Sequence, residues 1–248
     1  MKSIFYPVLF ILVFISCSKK DVCPPDVILG SLSLINESKD YLPYNGIQHL
    51  EFISFDTIPA IDTLLPDTFR TYIAILHSKE SLIHDSSKTI IANICVDLEN
   101  DERSDTFYVS EHKTINFFDT DTSRKFRVIG NLSINEDFLS KSSTVANPIL
   151  YDELKLTVHR SNPSISGAVA SIEFVANDRG NKDRMSDSLK LRINRYVLKS
   201  QIKIDTFIYD NVYEYRNNDS LYYYFKPLIG VVAFRDLNNN WWNLLDAY

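Results

Sequence analysis

The sequence predicts an all-β fold, an antiparallel β-sandwich or a curved half-barrel with few short helices. Three observations carry this. Apolar residues alternate with polar ones in many short runs. Breaks rich in Asn, Asp and Ser separate the runs, and these residues make turns although only six glycines are present. Helical periodicity is scarce.

Strand-like runs cover 27–34, 49–55, 68–77, 89–97, 106–118, 125–134, 153–159, 168–176, 188–198 and 202–209. In the third, Phe69, Thr71, Ile73 and Ile75 share one face. In the ninth, Leu191 and Ile193 alternate with Lys190, Arg192 and Asn194. Period two with one wet face belongs to antiparallel sheets. Two short helical turns are expected. One starts at Asn135 and runs through Leu139; the other starts at Asn147, with Pro148 as its first helical residue. The last fifth holds the strongest pattern, a β-meander. Leu221-Tyr222-Tyr223-Tyr224-Phe225 leads to Ile229-Gly230-Val231-Val232-Ala233-Phe234, a turn at 236–240, and Trp241-Trp242-Asn243-Leu244. These rings either fill the last sheet's core or line a ligand groove, for which Tyr222, Tyr224, Trp241 and Trp242 are the candidates.

The N-terminus reads differently. Lys2 precedes an apolar run from Ile4 to Ile15, which is too short to span a bilayer core of about 30 Å. Small Ser16, then Cys17, then Ser18-Lys19-Lys20-Asp21 follow. The run Phe14-Ile15-Ser16-Cys17 resembles the lipobox of bacterial lipoproteins. Gly230, Val231, Phe234, Trp242 and Leu244 are similar to the C-terminal stretch of uncharacterised Bacteroidota-type lipoproteins. The resemblance implies a signal peptide over residues 1–16 and palmitate-type acylation of Cys17. It implies a tether over 17–26 and one β-rich domain over 27–248. It also implies a cell-envelope protein anchored in the outer membrane, on the periplasmic face or at the cell surface. It implies no activity.

The remaining cysteines, Cys23 and Cys95, leave two readings open. An extracytoplasmic setting permits a bond between them. Alternatively Cys95, among Ile90, Ile91, Ile94 and Val96, is a small buried hydrophobe. Asp is followed by Ser or Thr ten times, where chance gives roughly three. An aliphatic residue comes next at Asp56-Thr57-Ile58, Asp62-Thr63-Leu64, Asp187-Ser188-Leu189 and Asp219-Ser220-Leu221. These resemble the O-glycosylation signal of envelope proteins in the same bacterial group, making Thr57, Thr63, Ser188 and Ser220 candidates. Asx-turns opening strands account for the pattern equally.

Hydrophobic and charged fractions of 45% and 23% are those of a globular chain. A net charge of −6 argues against nucleic-acid partners. The five histidines are scattered, and no zinc spacing, nucleophile elbow or P-loop is present. Two loops look like starts of calcium loops, at Asp236 and at Asp97, but the first has Trp241 where glycine is required. No metal, cofactor or catalytic residue is therefore expected. The expected role is binding or structural support in the envelope, with an envelope protein or a glycan as partner. The alternatives are a lipid-binding carrier or chaperone built on a half-barrel, and, more remotely, an envelope hydrolase.

Overall fold

The computed structural model describes residues 23–44, 48–58, 68–78, 83–98, 102–119, 126–140, 143–162, 165–193, 196–217, 221–235 and 240–247. The fold is all-β. Among the described residues, thirteen strands belong to one hydrogen-bonded sheet that is not closed into a barrel. They are β1 (Val27–Leu32), β2 (His49–Ile58), β3 (Thr68–Ser78), β4 (Ile83–Asp97), β5 (Glu102–Asp119), β6 (Phe126–Glu136) and β7 (Leu150–Asn162), then β8 (Ile165–Asn177), β9 (Tyr196–Ile204), β10 (Phe207–Asn217), β11 (Leu221–Lys226), β12 (Gly230–Arg235) and β13 (Trp241–Ala247). The helices are α1 (Asn36–Lys39) and α2 (Asp187–Ile193). The strand order is β8-β7-β6-β5-β3-β2-β13-β12-β11-β10-β9.

The long strand β5 organises the sheet. Its first part pairs with β4 on one edge and, in parallel, with β1 on the other. Its last part pairs with β6 along one edge and with β3 through Phe117, Phe118 and Asp119. The sheet folds back here, and the inner faces of its two leaves meet. Leu132, Leu154, Leu156 and Phe174 from β6 to β8 pack against Phe52, Tyr215, Tyr223, Phe225, Phe234 and Trp242. Phe174 is central, with ring centroids 5.2 Å from Phe225 and 5.4 Å from Tyr196. Facing leaves with interdigitated side chains make a sandwich. A void of about 10 Å³ remains in this core, room for about one water.

A strap formed by residues 33–44 closes one end. Asp152 is fully buried and accepts hydrogen bonds from Ile35 N (2.9 Å), Ser38 Oγ (2.7 Å) and Arg179 Nε (2.5 Å). Arg179 also donates to the Ser33 carbonyl at 2.5 Å. Glu111 accepts from Leu34 N and pairs with Lys39 at 2.8 Å. Buried Lys113 donates to the Leu42 carbonyl at 2.5 Å, and burial, with Lys39 nearby, lowers its pKa.

The strap ends on Tyr44. Its hydroxyl accepts from Val231 N at 3.0 Å, and burial pushes its pKa up to about 12, so it stays neutral. Gly230, beside it, has φ +90°, and a Cβ there would sit 2.0 Å from the Tyr44 hydroxyl oxygen. Gly230→Ala therefore combines left-handed strain with overpacking, and we expect a loss of about 3 kcal/mol. The urea-unfolding midpoint checks it; an unchanged midpoint contradicts the tight approach.

Three expected elements differ. Residues 188–193, read as the start of a strand, form α2. Ser186 Oγ accepts from Leu189 N, Lys190 N donates to the Ser186 carbonyl, and Leu189 packs with Met185 one turn back. Leu191 is left exposed. No helix starts at Asn135, because β6 runs through Glu136 and Asp137 N donates to the Ile149 carbonyl. None starts at Asn147, which instead bridges to Thr144 before β7 begins at Leu150. Helix α1 carries no signal in the sequence, because its four residues are too few to show a helical period and its N-cap, Ile35, makes no side-chain cap hydrogen bond.

Candidate functional site

The C-terminal meander places alternate residues on opposite faces of its leaf. Tyr223, Phe225, Phe234 and Trp242 point into the sandwich. Trp242 stacks on Phe234 at 6.3 Å and is nearly fully buried, so it is a core residue and not a ligand aromatic. The outer face carries a second apolar layer. Val212, Tyr224, Val232 and Ala233 are buried beneath partly exposed Tyr209, Tyr222 and Trp241.

The structure thus brings three of the four candidate aromatics together. Trp241 lies 5.6 Å from Tyr222 and 5.9 Å from Tyr224 by ring centroids. The Arg235 guanidinium lies 5.8 Å from the Tyr222 ring and 5.7 Å from the Trp241 ring, a cation–π arrangement. Tyr224 is buried and donates to Glu214 at 2.8 Å, while Lys199 lies 3.6 Å from the same carboxylate. Tyr209 donates to Asn243 at 3.1 Å, and Asn243 to Asp205 at 3.1 Å. Burial, then the nearby Asp205 charge, pushes the Tyr209 hydroxyl pKa up, so it remains a donor.

The surface of this cluster is therefore Tyr222, Trp241 and Arg235. Flat rings beside a planar cation can stack against a sugar ring or another flat group. Glu214, Lys199, Asn243 and Arg235 were absent from the sequence-based candidates. The signal for Arg235 was available, since it alternates with core-facing Phe234 and so falls on the outer side.

Near the start of β5, where Cys95 pairs with Ser104, Cys23 and Cys95 form a disulfide with Cα atoms 5.6 Å apart. The alternative of a buried free Cys95 is thus overturned. Cys23 N also donates to Glu102 Oε2 at 3.2 Å, so the chain entering the domain is fixed to the β4–β5 hairpin.

Other candidate positions are spread out. Ser188 is exposed on the first turn of α2. The backbone of Thr57 lies within β2, paired with Phe69 rather than in a turn. Cys17, Thr63 and Ser220, and the loops starting at Asp97 and Asp236, lie wholly or largely outside the described residues. Among the described residues, no group of His, Cys, Asp and Glu could hold a metal ion, and no helix is long and apolar enough to cross a membrane.

Compared with known proteins, the chain matches no family model, no curated protein and no solved structure.

Proposed function

We propose that this protein is a lipid-anchored envelope protein with a non-catalytic binding or structural role. Cys17 carries the acyl chains, and the β-sandwich presents its outer aromatic face to an envelope protein or a glycan. The observation that carries the reading is the Cys23–Cys95 bond. Disulfides persist in oxidising compartments, and this one begins six residues after Cys17, downstream of an apolar leader. It supports export independently of the lipobox resemblance. Two acyl chains hold far better than one, since each buried CH₂ contributes about 0.8 kcal/mol.

The carrier alternative finds no support in the core. A void of about 10 Å³ cannot admit an acyl chain, and aromatic rings occupy the space between the leaves.

Cys17→Ala is expected to abolish palmitate incorporation and release the protein from the membrane fraction. Palmitate labelling with membrane fractionation reads both. Unchanged labelling and fractionation would overturn the anchor.

A further inference from the structure

Among the described residues, β1, β4, β8 and β9 have a strand partner on one edge alone. A free edge presents unpaired backbone N–H and C=O groups, a template for another strand. Bulges blunt such an edge, because they bend it and break its spacing. Register shifts occur between Ile28 and Gly30 in β1, at two points in β4 and at two points in the β7–β8 ladder. The β9 ladder has none. Its nine residues run unshifted against β10, from Tyr196 opposite Tyr215 to Ile204 opposite Phe207.

The edge is also open. Val197 and Leu198, on opposite faces of β9, are 53% and 55% exposed. A cavity of about 200 Å³ is lined by Tyr196 and by Val175, Ala176, Asn177 and Asp178 at the end of β8, so β8 does not close over the start of β9. The strand holds no proline. Lysine commonly guards an edge. Here Lys199 Nζ lies 3.6 Å from Glu214 Oε1 on β10, and Gln201 donates to Asp210 on β10 at 2.8 Å. Both side chains lean back over their own leaf.

We infer that β9 is a dimerisation edge, on which β9 of a second copy of the chain adds antiparallel and joins the two sheets. The strand is complementary to itself about Ser200. With Ser200 on the two-fold axis, Val197 meets Lys203 of the second copy, Leu198 meets Ile202, and Lys199 meets Gln201. No like charges stand directly opposite each other. Exposed Leu198 gains an apolar partner, and the aliphatic stem of Lys203 covers Val197. A second copy always brings this complementarity, whereas a foreign strand must match it by its own sequence. The pairing uses the one unshifted free edge of each copy, so assembly stops at two. Nine paired residues bury less than the roughly 1,200 Å² of a stable interface, so the dimer dissociates on dilution. Dimerisation through β9 does not require the acyl anchor.

The test uses full-length Cys17→Ala protein, in which Cys23 and Cys95 are bonded and an added cysteine is the lone free thiol. Ser200→Cys places that thiol on the axis, against its own copy. Ile208→Cys, exposed on β10, is the reference. Mild oxidation is expected to give a dimer on non-reducing gels for Ser200→Cys and none above background for Ile208→Cys. Sedimentation velocity between micromolar and millimolar protein is expected to show a monomer–dimer equilibrium. Leu198→Lys should shift it to at least about tenfold higher concentration, because an unpaired charge enters the interface twice. Leu198 is half exposed, so the fold tolerates the change, and circular dichroism checks it. If that variant does not fold, crosslinking at residue 200 decides. A monomer throughout the range overturns the dimer. A dimer that persists in folded Leu198→Lys, without crosslinking at residue 200, overturns β9 as its interface. Loss of the dimer in Leu198→Lys without crosslinking at residue 200 overturns the register about Ser200. Crosslinking of Ser200→Cys to a different protein in intact cells, with the purified chain monomeric, assigns the edge to a foreign strand and overturns self-pairing.

Discussion

Asp152→Ala should be among the most destabilising single substitutions in this protein, by about 3–5 kcal/mol. The carboxylate is fully buried and gathers three donors, from Ile35, Ser38 and Arg179. Truncation leaves the Arg179 guanidinium, itself largely covered, without its counter-charge, and strands a backbone N–H and a hydroxyl. Arg179 sits at φ 51°, a conformation uncommon outside glycine. It is supported by its own N–H donating to Asn177 Oδ1 at 2.8 Å. Loss of Asp152 should therefore free the strap as well as weaken the core. Urea unfolding measures the first effect, and limited proteolysis between residues 33 and 44 the second. Asp152→Asn keeps the volume and one acceptor, and should fall between wild type and Asp152→Ala. A loss below about 1 kcal/mol for Asp152→Ala would mean that water replaces the carboxylate and that the strap is held elsewhere.

None of this site was readable in the sequence, for a physical reason. Its partners come from residues 33, 35, 38, 152 and 179, which meet only after the β7–β8 leaf and the strap have formed. Local pattern reports local structure. Alternation identified most strands because it reports burial of one face whatever the strand pairs with, although β1 is exposed along nearly its whole length. It failed at 188–193, where Leu189, Leu191 and Ile193 fit period two. There the spacing of Met185 and Leu189, four residues apart, with Ser186 between them as the cap, decided for a helix. The aromatic meander was half legible. Period two requires Trp241 and Trp242 to face opposite sides, but only the packing of Phe234 shows which one is inside. The Cys23–Cys95 pair was open for the same reason as Asp152. Its halves are 72 residues apart, and only the route of the entering chain along β5 brings them together.

That separation sets the second large effect. Replacing both cysteines by serine should cost about 4 kcal/mol, because closing a loop of this length restricts the unfolded chain. The folded-state consequence should be concentrated at β1. This strand is exposed along nearly its whole length, so its own burial contributes little. It is held by its parallel ladder to β5, by the disulfide before it and by Leu34 and the strap after it. Without the bond, β1 should open well below the cost of global unfolding. Amide exchange at Ile28, Ser31 and Leu32 should then accelerate far more than at Leu154 or Phe174 in the core. Wild-type protein in excess reductant should reproduce both the lower urea midpoint and the faster β1 exchange of the double variant. If the midpoint drops and β1 stays protected, the strand is held by its ladder and the strap alone. If neither changes, the bond adds no constraint that the fold does not already supply.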